Sequence, residues 1–223
     1  MLPAVRSAKK WDIITIGNVS RNAYWGESED HPYRRVICTS TLITGEGFRL
    51  LVDPPHVDHA LMTTDLDRRS GIALKDVSAV FVTHEHGDHH AGLAHFPHAD
   101  WFAAPPVADA INATTQYEKH IEPVEINFLG AFGVIATPGH TASHHSLRFE
   151  CDGVSVVIAG DAVMTRAHWF DRRGSWNSTN LILAAESIGR LTQIADIVVP
   201  GHDNYFTVDN GGRVMTVPYY PRI

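Results

Sequence analysis

Between Thr83 and His90 the chain reads Thr-His-Glu-His-Gly-Asp-His-His, which places four imidazoles, one glutamate and one aspartate within seven residues. Such a cluster is costly to bury unless its groups are paired or hold a metal ion. Imidazole and carboxylate donors suit zinc, iron and manganese alike, so the run points to a metal site with chemistry at the metal. Three more single polar residues follow the same grammar. His140 comes after Val134-Ile-Ala-Thr-Pro-Gly139, Asp161 after Val156-Val-Ile-Ala-Gly160, and His202 after Ile197-Val-Val-Pro-Gly201. In each, an apolar run stops at a glycine, which turns the backbone sharply or admits a close approach, and one donor comes next.

The elements that must position these donors read as strands. Val77–Val82, short, apolar and rich in β-branched residues, predicts a buried strand with the histidine run in the loop at its end. Trp11–Gly17 predicts a first strand. Arg35–Thr44 and Phe48–Asp53 predict a pair joined at Gly45-Glu46-Gly47. Trp101–Ala104, Gly133–Ala136, His145–Cys151, Val154–Ala159 and Asp196–Val199 predict further strands, the Asp152-Gly153 turn linking two of them. Helices are expected over His56–Ser70, from Pro105 to about Ala113, and over Asn177–Ala195 with Asn177 or Ser178 as cap. Asn18–Arg34 and Ala162–Trp176 read as loops. Strands and helices in this order predict a layered α/β protein with its sheets inside.

The motifs His84-x-His86-x-Asp88-His89, Thr137-Pro-Gly-His140-Thr, Gly160-Asp161 and Pro200-Gly-His202, with Leu51-Val-Asp53 ahead of them, resemble those of the metallo-β-lactamase-fold hydrolase superfamily. The resemblance covers nearly the whole chain in the expected order. It implies an α/β fold, a four-layer αββα sandwich forming one domain over residues 1–223, with a dinuclear site between the sheets. By the same resemblance His84, His86 and His140 hold one divalent metal ion, Asp88, His89 and His202 hold the other, and Asp161 bridges them. The ions are expected to be zinc, with iron or manganese as alternatives. Asp88 is also the candidate catalytic proton relay. The implied activity is metal-dependent hydrolysis of a small ester, lactone or thioester through a metal-bridging hydroxide, since metal-held water ionises near neutral pH.

Asp161 stands where true β-lactamases carry Cys or Ser. The chain therefore resembles the branch of hydroxyacylglutathione hydrolases and acyl-homoserine lactonases. The added helical domain of the glutathione enzymes is not expected after His202. Alternatives of the same fold are a phosphodiesterase or nuclease and a mononuclear iron persulfide dioxygenase. The stretch Arg166-Ala-His-Trp-Phe-Asp-Arg-Arg173 matches the dioxygenase signature poorly.

Around the ligands, Glu85 and His90 are expected in supporting or solvent-facing places, and Asp53 as a hydrogen-bonding support. His144 and His145 read as ordinary polar residues. The aromatic stretch His168–Trp176 is either core or an apolar wall over the metals. The net charge of −7 argues against a nucleic-acid or anionic-membrane partner and leaves a small-molecule substrate. Cys38 and Cys151 are expected as buried thiols. With no run of about 18 apolar residues and no apolar stretch after Lys9 and Lys10, a cytoplasmic location is expected.

Overall fold

Residues 7–28 and 30–216 are described by the computed structural model. One sheet runs in chain order: β1 (Ala8–Thr15), β2 (Ser40–Gly45), β3 (Phe48–Val52), β4 (Ala79–Val82), β5 (Asp100–Ala103) and β6 (Glu122–Pro123). The other runs β13 to β7 in space: β7 (Asn127–Phe128), β8 (Phe132–Ala136), β9 (His145–Cys151), β10 (Val154–Gly160), β11 (Ile197–Pro200), β12 (Phe206–Val208) and β13 (Val214–Thr216). Helices α1 (His59–Ser70), α2 (Gly87–His90), α3 (Pro105–Ala113), α4 (Arg166–Asp171) and α5 (Leu181–Leu191) fall in the connections.

Period-two alternation along β10 shows the layering. Val156 and Ile158 join the core shared by both sheets, where Phe48 meets Phe132 and Phe81 meets Phe128, each pair 5.9 Å apart at the ring centres. Val157 and Ala159 point the other way, into a second core with Trp169 of α4 and Ile188 and Leu191 of α5. Met62 and Leu66 of α1, with Val107 and Ile111 of α3, pack onto the first core. The result is the mixed α/β architecture, two sheets with helices outside them, that the motifs implied.

Strand direction decides where the donors arrive. β3, β4 and β5 are parallel, as are β10 and β11. β8 pairs antiparallel to β9, which pairs antiparallel to β10, so β8 runs with β10. The C-terminal ends of β3 and β4, and those of β8, β10 and β11, thus deliver Asp53, His84, His140, Asp161 and His202 to one edge.

Several boundaries differ from expectation. The second strand starts at Ser40 rather than Arg35, because Asn18 and Ile37 pair only as an isolated bridge. The first helix starts at His59, capped by the Asp58 carboxylate accepting from the amides of Ala60 and Leu61. The last helix spans Leu181–Leu191, and its cap is Asn180, accepting from Ile182 and Leu183, not Asn177 or Ser178. Asn177 is used elsewhere, as acceptor of the Ser175 hydroxyl. Residues 162–176 are not all loop: α4 forms there, anchored by Trp169, whose indole donates to the Gly212 carbonyl. Both cysteines are buried and unbridged. No helix among the described residues is long and apolar enough to cross a membrane.

Candidate metal centre

All seven donors singled out in the sequence come together. The ligating atoms of His84, His86, His140 and Asp161 lie within 4.8 Å of one another, and so do those of Asp88, His89 and His202. Asp161 joins the two groups. Its Oδ1 lies 3.2 Å from Nε2 of both His89 and His202, while its Oδ2 lies 3.1 Å from His140 Nε2 and 3.8 Å from His84 Nε2. On the open side, Asp88 Oδ2 is 3.5 Å from His202 Nε2, and His86 Nδ1 is 2.9 Å from His140 Nε2.

Glycine makes this convergence possible at two points. Gly160 has φ +53°, and a Cβ there would meet Thr83 Oγ1 at 2.8 Å and His144 Nε2 at 2.9 Å. At Gly201 a Cβ would fall 1.9 Å from Asp161 Oδ1, so the bare backbone of one motif makes room for the carboxylate of another.

What each imidazole does with its second nitrogen fixes what the first presents to the centre. His202 Nδ1 lies 2.9 Å from the Ile37 carbonyl and 3.1 Å from that of Asn18. Carbonyls only accept, so Nδ1 carries the proton and Nε2 of the neutral ring is a lone pair. His89 Nδ1 donates to Asp53 Oδ2 at 2.9 Å. The Thr83 hydroxyl already donates to Asp53 Oδ2, so it accepts from His84 Nδ1. Likewise the Ser175 hydroxyl donates to Asn177 Oδ1 and accepts from His140 Nδ1 at 3.3 Å. Four rings thus commit Nδ1 as a donor and turn Nε2 toward one carboxylate. Without a proton on Nε2 the two sets of lone pairs oppose each other, and a metal ion between them relieves that.

Burial sharpens the conflict. His84 Nε2, His89 Nε2 and Asp161 Oδ1 are buried without a hydrogen bond, at a cost of about 1–3 kcal/mol each. Burial, followed by neighbouring His89, holds His84 well below the ordinary histidine value, which keeps it neutral. Burial would raise Asp161, but His202, His89 and His140 outweigh it and hold the carboxyl well below the usual range. Burial would also lower His202, yet Asp161 raises it. The donor set and its orphaned atoms fit divalent cations.

Asp53 supports the centre as expected. It is buried at φ +51° and accepts from the Thr83 amide at 2.8 Å as well as from His89. Glu85 turns away from the donors and accepts from the hydroxyls of Thr141 and Ser143. His90 is buried rather than solvent-facing, its Nδ1 2.9 Å from the Tyr117 hydroxyl and its Nε2 3.2 Å from the Glu85 carbonyl. His144 is buried with both nitrogens used, by Thr137 Oγ1 and the Ala162 amide, and His145 bonds the Ser143 carbonyl. Cys38, expected only as a buried thiol, lies against this region. Its thiol donates to the carbonyls of Asp88 and Asp53, and burial pushes it up to about 12, so it stays protonated. Thr83 and Ser175, which orient two imidazoles, were also missed. Thr83 adjoins the motif, whereas Ser175 carries no sequence signal.

A cleft of about 330 Å³ opens over the centre, with His86, Asp88, Asp161 and His202 on its floor. Its walls come from the two segments read as loops: Val19–Tyr24 on one side, Met164, His168 and Arg173–Asn177 on the other. The stretch His168–Trp176 divides. Trp169 is core, Phe170 is exposed, and His168 and Trp176 line the cleft.

The family model of the metallo-beta-lactamase superfamily matches residues 33–202. The chain belongs to that superfamily. Metallo-beta-lactamase domain-containing protein 1 of Xenopus laevis is 32% identical over 157 residues, 66% of this chain and 63% of that protein. A hydroxyacylglutathione hydrolase of Xanthomonas oryzae pv. oryzae (strain MAFF 311018) is 31% identical over 107 residues, 46% of this chain and 38% of that one. The chain thus spans less than two thirds of the length of these curated relatives. Among solved structures, AidC, a dizinc quorum-quenching lactonase in complex with a product, superposes with a TM-score of 0.67 at 16% identity, covering 83% of this chain and 80% of AidC. At that identity the likeness is one of fold. This superfamily member shares with it the two-sheet scaffold.

Proposed function

We propose that this superfamily member is a metal-dependent hydrolase of a small ester, lactone or thioester, acting with two divalent ions. One ion is held by His84, His86 and His140, the other by Asp88, His89 and His202, and Asp161 reaches both. The observation that carries this reading is the split of the Asp161 carboxylate, one oxygen toward each group of imidazole lone pairs. The second complete group, Asp88, His89 and His202, favours two ions over a single-iron site.

Bound there, the ions supply the acidity that turns water into a nucleophile near neutral pH and the polarisation of the substrate carbonyl. The chain's residues do the rest. The hydrogen-bonded imidazoles hold the donor geometry without rearrangement. Asp88 is partly exposed to the cleft, where it can take a proton from the attacking water and pass it to the leaving oxygen or sulfur.

The test is metal quantification on the purified protein, joined to turnover of lactones, thioesters, carboxylic esters, β-lactams and bis-p-nitrophenyl phosphate. Close to two ions per chain with acyl-substrate turnover is expected. Fewer than one ion per chain, or turnover confined to the phosphodiester, overturns the reading.

A further inference from the structure

The cleft walls are electrostatically unlike the rest of the chain. The whole sequence carries an excess of acids, with a net charge of −7. Among the described residues the cleft has three acidic side chains, and none is free on the wall. Asp88 and Asp161 are on the floor with the imidazoles, and Asp171 accepts a 2.7 Å hydrogen bond from the Tyr24 hydroxyl. Two arginines among the described residues line the walls. Arg21, from the segment after β1, lies over the Trp176 ring at 4.8 Å from its centre. Arg173, just beyond α4, is exposed, and no hydrogen bond or ion pair engages its guanidinium among the described residues. It lines the cleft together with Tyr24 and His168. His168 is neutral there, because burial lowers it to about 4, and Thr165 Oγ1 takes its Nδ1 at 2.9 Å, leaving Nε2 to a ligand.

Resting on the hydrolase reading, we propose that the substrate carries an anionic tail, a carboxylate or a phosphate, which Arg173 binds, with Arg21 adding positive charge to the same cleft, while the acyl bond lies over the metal centre. Guanidinium groups suit planar or tetrahedral oxyanions, accepting them on a fork of donors. The flat Trp176 ring beneath Arg21 fixes that fork at small entropic cost. The neutral His168 contributes polarity without competing for the anion.

The test uses the metal-loaded protein and three esters of equal length, ending in a methyl, a carboxylate or a phosphate. The wild type is expected to show a higher kcat/KM for at least one anionic ester than for the neutral one. Arg173→Gln should lower that anionic-to-neutral ratio at least about tenfold, as loss of one charge-assisted hydrogen bond predicts, mainly through KM. Arg21→Gln should lower it less, and Arg173→Lys should recover part of it. Carboxylate alone retaining the preference identifies that tail, and phosphate alone the other. Equal ratios in wild type and Arg173→Gln overturn the proposal. If none of the esters is hydrolysed, the hydrolase reading fails separately. Calorimetric titration of butyrate and of inorganic phosphate into both proteins then decides the anion site: a Kd at least about tenfold weaker in Arg173→Gln supports it, and equal Kd values overturn it.

Discussion

The floor and the walls of the cleft are built on opposite principles. On the floor the donors stand just past strand ends or, for Asp88 and His89, on the one-turn α2 after β4, and four imidazoles are pinned by a second hydrogen bond, to Asp53, Thr83, Ser175 or the carbonyls of Asn18 and Ile37. On the walls, Tyr24, Arg173 and Trp176 are exposed side chains on a 3₁₀ turn and on the segment after a short helix. The difference teaches that this fold separates the site's chemistry, which needs geometry, from selection, which needs variety. If that separation is real, damage to the floor should abolish turnover of every substrate. Damage to the walls should redistribute turnover among substrates.

The largest effect is expected on the floor. Asp161→Ala removes the one carboxylate that faces both donor groups, so at least one ion should be lost and turnover should fall on the order of 10³-fold or more. Full metal content with retained activity would show that Asp161 joins nothing. Gly201→Ala tests the same carboxylate without touching a donor, since its Cβ would fall 1.9 Å from Asp161 Oδ1. Metal content should drop sharply while the far-ultraviolet circular dichroism stays native. An unaltered metal content would mean that the carboxylate can move aside and that the floor is less rigid than the comparison requires.

Asp53→Asn is smaller in effect and sharper in meaning. The amide keeps the shape and can still accept from the Thr83 amide, but it loses the negative charge that His89 Nδ1–H addresses. Metal affinity should weaken about 10–100-fold, read by competition with a chelator. An unchanged affinity would relegate the orienting bonds to packing.

This division also explains what the sequence could reveal. Floor residues obey a local grammar of apolar strand, glycine and donor, because a strand end fixes where the short turn after it places its side chains. All seven donors were therefore legible from spacing and resemblance. Asp53 was legible for the same reason. Ser175 was not, since its contact with His140 depends on a turn 35 residues away in the chain. The cap of the last helix was misplaced because Asn177, Ser178 and Asn180 are all competent caps, and the tertiary bond from Ser175 to Asn177 chose among them. α4 was missed because its six residues are too few to show a helical period, and its stability comes from Trp169 docking under β12. Between the supporting and the solvent-facing place open to His90, Tyr117, 27 residues on, selects the first by covering it.

The smallest effect belongs to His168 on the wall, and it separates stability from turnover. Burial lowers this ring to about 4 in the folded protein, against about 6.5 when unfolded. Between those values the unfolded chain binds a proton that the folded chain refuses. Stability attached to His168 is therefore complete above about pH 6.5 and declines as pH falls toward 4. His168→Gln removes that dependence. Its urea midpoint, measured from pH 7 to pH 4.5, should fall less steeply than that of the wild type. The shallow slope should appear with metal content unchanged, because His168 belongs to neither donor group. Parallel curves for the two proteins would mean that the ring takes up its proton without cost, and that this wall is wetter and looser than its packing against Thr165 and Tyr24 indicates.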